Sequence, residues 1–150
     1  MGLDVFKAAV EERIGWTLPP ARPFKFESNI DRFGWQTGHD GKHHFTMFIE
    51  NGRVQDEPGK AFKTGLQAVA KAHRGTFRLT CNQHLVLSEV TDDKLAEMKA
   101  LLAEHGLDHL AYSGLRLSSS ACVAFPTCGL AMAESERVSL CVAFVLRVIT

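Results

Sequence analysis

KAFKTGLQAVAKAHRGTFRLTCNQHLVLSEV, residues Lys60 to Val90, changes its hydrophobic period partway along and reads as a helix followed by two strands. From Lys60 to His73 the apolar residues Phe62, Leu66, Val69 and Ala70 recur at helical spacing, a stripe that must pack against a sheet, with Gly75 as its stop. From Thr76 to Asn82 the period shortens to two. Phe77, Leu79 and Cys81 share one strand face, while Arg78, Thr80 and Asn82 share the polar face opposite. Leu85 to Val90 reads as the second strand.

Outward from this stretch the patterning continues both ways. Downstream, Thr91 stands where a helix cap belongs, and Asp92 and Asp93 fall in the dipole-favoured first turn. Leu95, Met98, Leu101 and Leu102 then form a buried stripe that ends at Gly106. Upstream, from His44, one strand face carries Phe45, Met47 and Ile49, and Asn51-Gly52 supplies the positive-φ residues of a tight hairpin turn. The order β-α-β-β-α predicts a ferredoxin-like α+β unit. Before it, Pro19, Pro20 and Pro23 forbid regular helix between Thr17 and Arg32 and predict an extended linker. Asp4 to Ile14 predicts a short lead-in helix that packs on the domain and stops at Gly15.

Past the unit, Ala121 to Arg137 (ACVAFPTCGLAMAESER) sets Cys122 and Cys128 in a C-x5-C spacing around a proline turn and then starts a small-residue helix. Thiolates suit soft metals and iron–sulfur clusters, and a four-iron cluster takes four of them. The spacing alone leaves two readings open, half of a metal or cluster site or two small buried hydrophobes.

With its neighbours included, ACVAFPTC followed by LAMAESER resembles the first cluster-ligand segment of the sulfite and nitrite reductase hemoprotein family, particularly its NADPH-type sulfite reductase beta subunits. FGWQTGHDGKHHFTMFIENGRVQDEP, KTGLQAVAKAHRGTFRLTCNQHLVL and SSSACVAFPTC follow in the family's order, so the resemblance covers roughly Asp4 to Arg137. It implies a middle piece of a much longer protein. Residues 33–113 would be a ferredoxin-like half-domain and 114–137 the start of the siroheme and iron–sulfur domain; 1–32 would be a lead-in helix and Pro-rich linker, and 138–150 a divergent tail.

The same resemblance implies an oxidoreductase of sulfur assimilation and cysteine biosynthesis. Its intact form reduces sulfite to sulfide with six electrons at a siroheme coupled to a 4Fe-4S cluster. Electrons would come from NADPH through a flavoprotein reductase subunit, or from ferredoxin. Cys122 and Cys128 would be the first two metal ligands; the family's later C-x3-C pair, which supplies the other two, does not occur in this sequence. Arg78, Asn82 and Gln83 would contact the siroheme, whose eight carboxylates suit a bidentate guanidinium, and His84 beside them could donate to an anion. No residue is assigned a catalytic role, because the family's sulfite-binding basic residues lie in regions this sequence lacks. The chain is therefore expected to need the remainder of the hemoprotein polypeptide as its partner. The alternatives are a non-catalytic interaction or scaffold module that keeps the fold, and a piece of a nitrite reductase.

Composition narrows the rest. The 150 residues are 45% hydrophobic, enough to bury an ordinary single core. Lys plus Arg and Asp plus Glu are balanced at 17 each, so no net field recommends nucleic acid. A ferredoxin-like RNA-binding reading also lacks a paired aromatic platform. The N-terminal residues mix acids and bases, and Val138 to Thr150 (VSLCVAFVLRVIT) falls short of the roughly 20 apolar residues a bilayer requires. That tail also departs from the amphipathic continuation of the family. The expectation is a cytoplasmic chain without membrane contact, whose cysteines, including Cys81 and Cys141, stay reduced or bind metal. His39, His43 and His44 lie near Asp40, but adjacent histidines on a strand face opposite ways and do not share one ion. A half-domain parted from its pseudo-symmetric partner is expected to expose apolar surface, a route to a homo-oligomer.

Overall fold

A computed structural model of the chain describes residues 2–28, 30–58 and 60–139. Helix α1, Leu3–Ile14, ends at Gly15, whose left-handed backbone (φ 75°) lets its N–H reach Glu11 O at 2.9 Å. The expected stop is therefore present, but the expected packing is not. No residue of α1 is buried, and Leu3, Val5 and Phe6 lie at the surface. Among the described residues no regular element follows until strand β1, Gly34–Thr37, and Pro19, Pro20 and Pro23 bar helix over the first part of that stretch.

Strand β2, His43–Met47, leads into a tight turn at Glu50–Gly52. Asn51 and Gly52 take the positive φ values their sequence predicts, 52° and 70°. They do not close a hairpin, however. The chain leaves the sheet there and forms a separate ladder of strands β3 (Asp56–Glu57) and β4 (Lys60–Ala61). Helix α2, Phe62–Ala72, strand β5, Thr76–Leu79, strand β6, Leu85–Val90, and helix α3, Asp92–Glu104, complete the unit. The four-stranded sheet runs β1-β2-β6-β5, antiparallel throughout, which bears out the ferredoxin-like α+β expectation with β1 as an element the periodicity had not marked.

Register explains where the core sits. Phe45 pairs with Leu87 and Met47 with Leu85, so these side chains share the face that α2 and α3 cover. There they meet Val69, Met98 and Leu102, all essentially inaccessible to solvent. Two glycines permit the close approaches. A Cβ on Gly65 of α2 would lie 2.6 Å from the Cβ of His105, and one on Gly75 would lie 2.2 Å from the carbonyl oxygen of Ser88. The other face of β2 is closed at one end by an aromatic group: Phe48 stacks against Phe33, His84 and Tyr112 with ring centroids 5.6, 5.1 and 5.0 Å away.

Candidate functional site

The cysteine segment follows a single helical turn, α4, Gly114–Ser118, capped by the Ser113 hydroxyl, which accepts from Arg116 N at 3.3 Å. Beyond it the chain folds back at the proline. Ala124 takes a φ of 46°, Cys128 N donates to Ala124 O at 2.8 Å, and Ala131 N donates to Cys128 O at 3.1 Å. Phe125 N reaches Ala133 O at 3.2 Å, so the two limbs of the loop are tied across. Cys122 is exposed and Cys128 half-buried, which leaves both thiols reachable rather than sealed in the core. Among the described residues no cluster of three or more His, Cys, Asp or Glu side chains converges, and Cys141 lies outside the described residues.

The turn that leaves the sheet holds this segment in place. Arg116 donates from Nε and an Nη to the two carboxylate oxygens of Glu50 at 2.8 and 2.6 Å. The Asn51 carboxamide accepts from Ala121 N at 3.0 Å and donates to Glu136 O at 3.4 Å, thereby touching the segment on both sides of the cysteines. Arg53 forms a second two-pronged pair with the Glu136 carboxylate. That pairing holds the Glu136 carboxyl below its ordinary value and the Arg53 guanidinium above. Between the turn, β3, β4 and Glu136 lies an open cleft of about 290 Å³.

The second group of expected residues is dispersed. Strand β5 ends at Leu79, so the alternation that would set Arg78, Thr80 and Asn82 on one face stops short. Arg78 pairs with Glu89 at 3.5 Å on the exposed sheet edge. Thr80 and Asn82 turn instead to Asp31, the hydroxyl donating to one carboxylate oxygen at 2.5 Å and the amide to the other at 3.2 Å. Asn82 thus lines a polar recess of about 170 Å³ with Asp31, His84 and Ser118 to Ser120, to which neither Arg78 nor Gln83 contributes. Gln83 takes a φ of 68° at the turn tip, against Gly52.

His84 is buried and accepts from Ile49 N through Nδ1 at 3.1 Å. Burial pushes its pKa below the ordinary value, with the Asp31 charge opposing. His43 bonds Asp92 at 2.7 Å and the Thr37 hydroxyl at 3.1 Å, while His44 accepts from Glu89 N at 3.3 Å, so the two neighbours are engaged in different places. Sequence reading passed over Asp31, Arg53 and Glu136 and marked Asn51 only as a turn residue. Their partners lie far along the chain and left no periodic signal.

Comparison with known proteins finds similarity along most of the chain. The family described as the nitrite/sulfite reductase ferredoxin-like half domain matches residues 36–105. The chain is 54% identical over 138 residues to the sulfite reductase [NADPH] hemoprotein beta-component of Geobacillus thermodenitrificans, a match covering 91% of this chain and 24% of that protein. It is 55% identical over 141 residues to the sulfite reductase [NADPH] subunit beta of Saccharomyces cerevisiae, covering 91% of this chain and 10% of the yeast protein. Among solved structures, the NirA protein of Mycobacterium tuberculosis superposes with a TM-score of 0.65 at 25% identity, over 97% of this chain and 26% of that one. The chain therefore spans about a quarter or less of the length of these relatives. The chain thus carries a match to the nitrite/sulfite reductase ferredoxin-like half domain over residues 36–105 and is similar over nine-tenths of its length to part of the sulfite reductase [NADPH] hemoprotein beta-components.

Proposed function

We propose that this chain is the part of a sulfite reductase hemoprotein that carries a ferredoxin-like half-domain, residues 33–113, and the opening of the siroheme and cluster domain, residues 114–137. The observation that carries the reading is the tied loop holding Cys122 and Cys128 as accessible thiols, in a chain more than half identical to proteins named for sulfite reduction. Two thiolates from one loop fit half of the four that a cubane cluster takes, so the other two come from another segment. When bound, the siroheme and cluster supply the electrons that reduce sulfite.

This chain's own residues serve that chemistry by position. Cys122 and Cys128 present sulfur from a fixed turn. Asn82 and His84 line a polar recess with Asp31 and Ser118 to Ser120, whose hydroxyl, amide and imidazole groups are suited to hydrogen-bonding the periphery of a tetrapyrrole, while Arg78 on the sheet edge and Gln83 at the turn tip would meet the group from outside the recess. Sulfite as substrate, NADPH-derived electrons delivered by a flavoprotein subunit or ferredoxin, and a cytoplasmic setting belong to the same proposal. No helix among the described residues is long and apolar enough to cross a membrane.

A chimera tests this reading. Residues 4–137 are placed at the matching position of the Geobacillus relative, and siroheme absorption, iron content and sulfite reduction are measured after anaerobic reconstitution. Retained cofactor and activity, lost in both Cys122→Ser and Cys128→Ser, is the expected outcome. A stable chimera that stays colourless and iron-free overturns it and favours a scaffold module.

A further inference from the structure

The turn Glu50–Gly52 with Arg53 is unusual in what its side chains do. Three of its residues reach away from the half-domain, and among the described residues every side-chain bond they make on that side ends on the segment that carries the cysteines. Glu50 holds Arg116 ahead of the cysteines, Arg53 holds Glu136 after them, and Asn51 holds Ala121 and Glu136 together. The cysteine loop is thus stapled at both ends to one rigid point of the sheet's exit.

We infer that Asn51 and Arg53 are positioning residues that set the conformation of the Cys122–Cys128 loop before any metal arrives. Asn51 is suited to this because it occupies the left-handed region that asparagine tolerates and offers one acceptor and one donor from the same carboxamide. Neither residue needs to touch a cofactor. The reason the loop requires such support lies in its own composition. Between Ala121 and Gly129 the small residues bury little, with only Ala124 well covered, so packing cannot fix the two sulfurs relative to each other. Preorganised ligands avoid the ordering cost that a mobile loop would incur on binding. The purpose of the staple rests on the proposed ligand role of the cysteines, but the positioning itself does not.

The test uses the whole metal-free chain. Asn51→Gly keeps the left-handed backbone, removes both carboxamide bonds and so spares the half-domain fold. Alkylation rates of Cys128 and of Cys81, an exposed thiol outside the loop, are compared by mass spectrometry alongside exchange of the Cys128 amide. Cys128 labelling and amide exchange are expected to rise at least about fivefold in Asn51→Gly, with Cys81 unchanged, as the loss of two modest hydrogen bonds predicts. Arg53→Lys, which keeps charge but not the two-pronged grip, should fall between wild type and Arg53→Ala. Unchanged Cys128 kinetics in Asn51→Gly, or an equal rise at Cys81, overturns the inference. Because no metal is involved, failure here leaves the cluster-ligand reading standing, whereas a cofactor-free chimera with intact thiol protection defeats that reading alone.

Discussion

Arg116 grips Glu50 with two parallel hydrogen bonds across a separation of 66 positions, and its guanidinium also lies 4.6 Å from the centroid of the Tyr112 ring. Both partners of the ion pair are shielded, with side chains 24% and 17% exposed, which separates it from the solvated pairs Lys7–Glu11 and Lys94–Glu97. A double-mutant cycle of Glu50→Gln and Arg116→Gln in urea is expected to give a coupling energy of about 1 kcal/mol. The same cycle on Lys94 and Glu97 should give a much smaller coupling. Equal couplings would show that shielding adds nothing to the pair at the exit turn.

Gly65 predicts a second measurable effect. A methyl group there meets the Cβ of His105 at 2.6 Å and its Cγ at 2.9 Å, a contact that only separation of α2 from α3 can relieve. Gly65→Ala should cost about 1–3 kcal/mol by urea denaturation, despite alanine's better helix propensity. Gly114→Ala, which meets nothing within 4 Å, should stay within about 0.5 kcal/mol of wild type. A neutral Gly65→Ala would mean that the two helices slide freely.

How much of this was legible in the sequence depended on whether one side of an element is buried. β2, α2, β6 and α3 announce themselves because Phe45, Met47, Val69, Leu87, Met98 and Leu102 recur at the period of their element and all enter one core. Strand β1 is four residues opening on a glycine, too short to show alternation. The strand expected to run to Asn82 stops at Leu79 because the Thr80 hydroxyl accepts from the backbone N–H groups of Asn82 and His84, a local alternative to the ladder. Asn51-Gly52 was legible as a turn but not as a staple. Its side-chain partners, Ala121 and Glu136, lie 70 and 85 positions away, beyond the reach of any local pattern.

The sheet edge carries the third prediction. β5 is the last strand in the order β1-β2-β6-β5, with one row of backbone groups outside any ladder among the described residues, and Leu79 on it is 85% exposed. An apolar side chain on an open edge favours pairing between copies of the chain. Leu79→Lys is expected to shift the sedimentation profile towards monomer and leave far-ultraviolet dichroism unchanged. A wild-type chain already monomeric at high concentration would remove the expected role of this edge.

His84 carries the last. Its imidazole is buried against Phe33 and Phe48, accepts from Ile49 N and faces Asp31 across the polar recess, and burial outweighs that carboxylate to hold its pKa below about 6.5. In the unfolded chain the ring takes up a proton near its ordinary value; in the folded chain it does so only at lower pH. The unfolded state therefore binds more protons in that interval, and stability is full above about pH 6.5 and declines as pH falls through the folded pKa. Carboxylates such as Glu136, held below their usual 4.5, lose their contribution only at lower pH, so the two windows separate. His84→Asn keeps an acceptor that can serve Ile49 N–H but cannot titrate. Urea midpoints measured between pH 5 and 8 should fall with acid in wild type and flatten in His84→Asn, and parallel curves for the two proteins would assign the acid sensitivity to other groups.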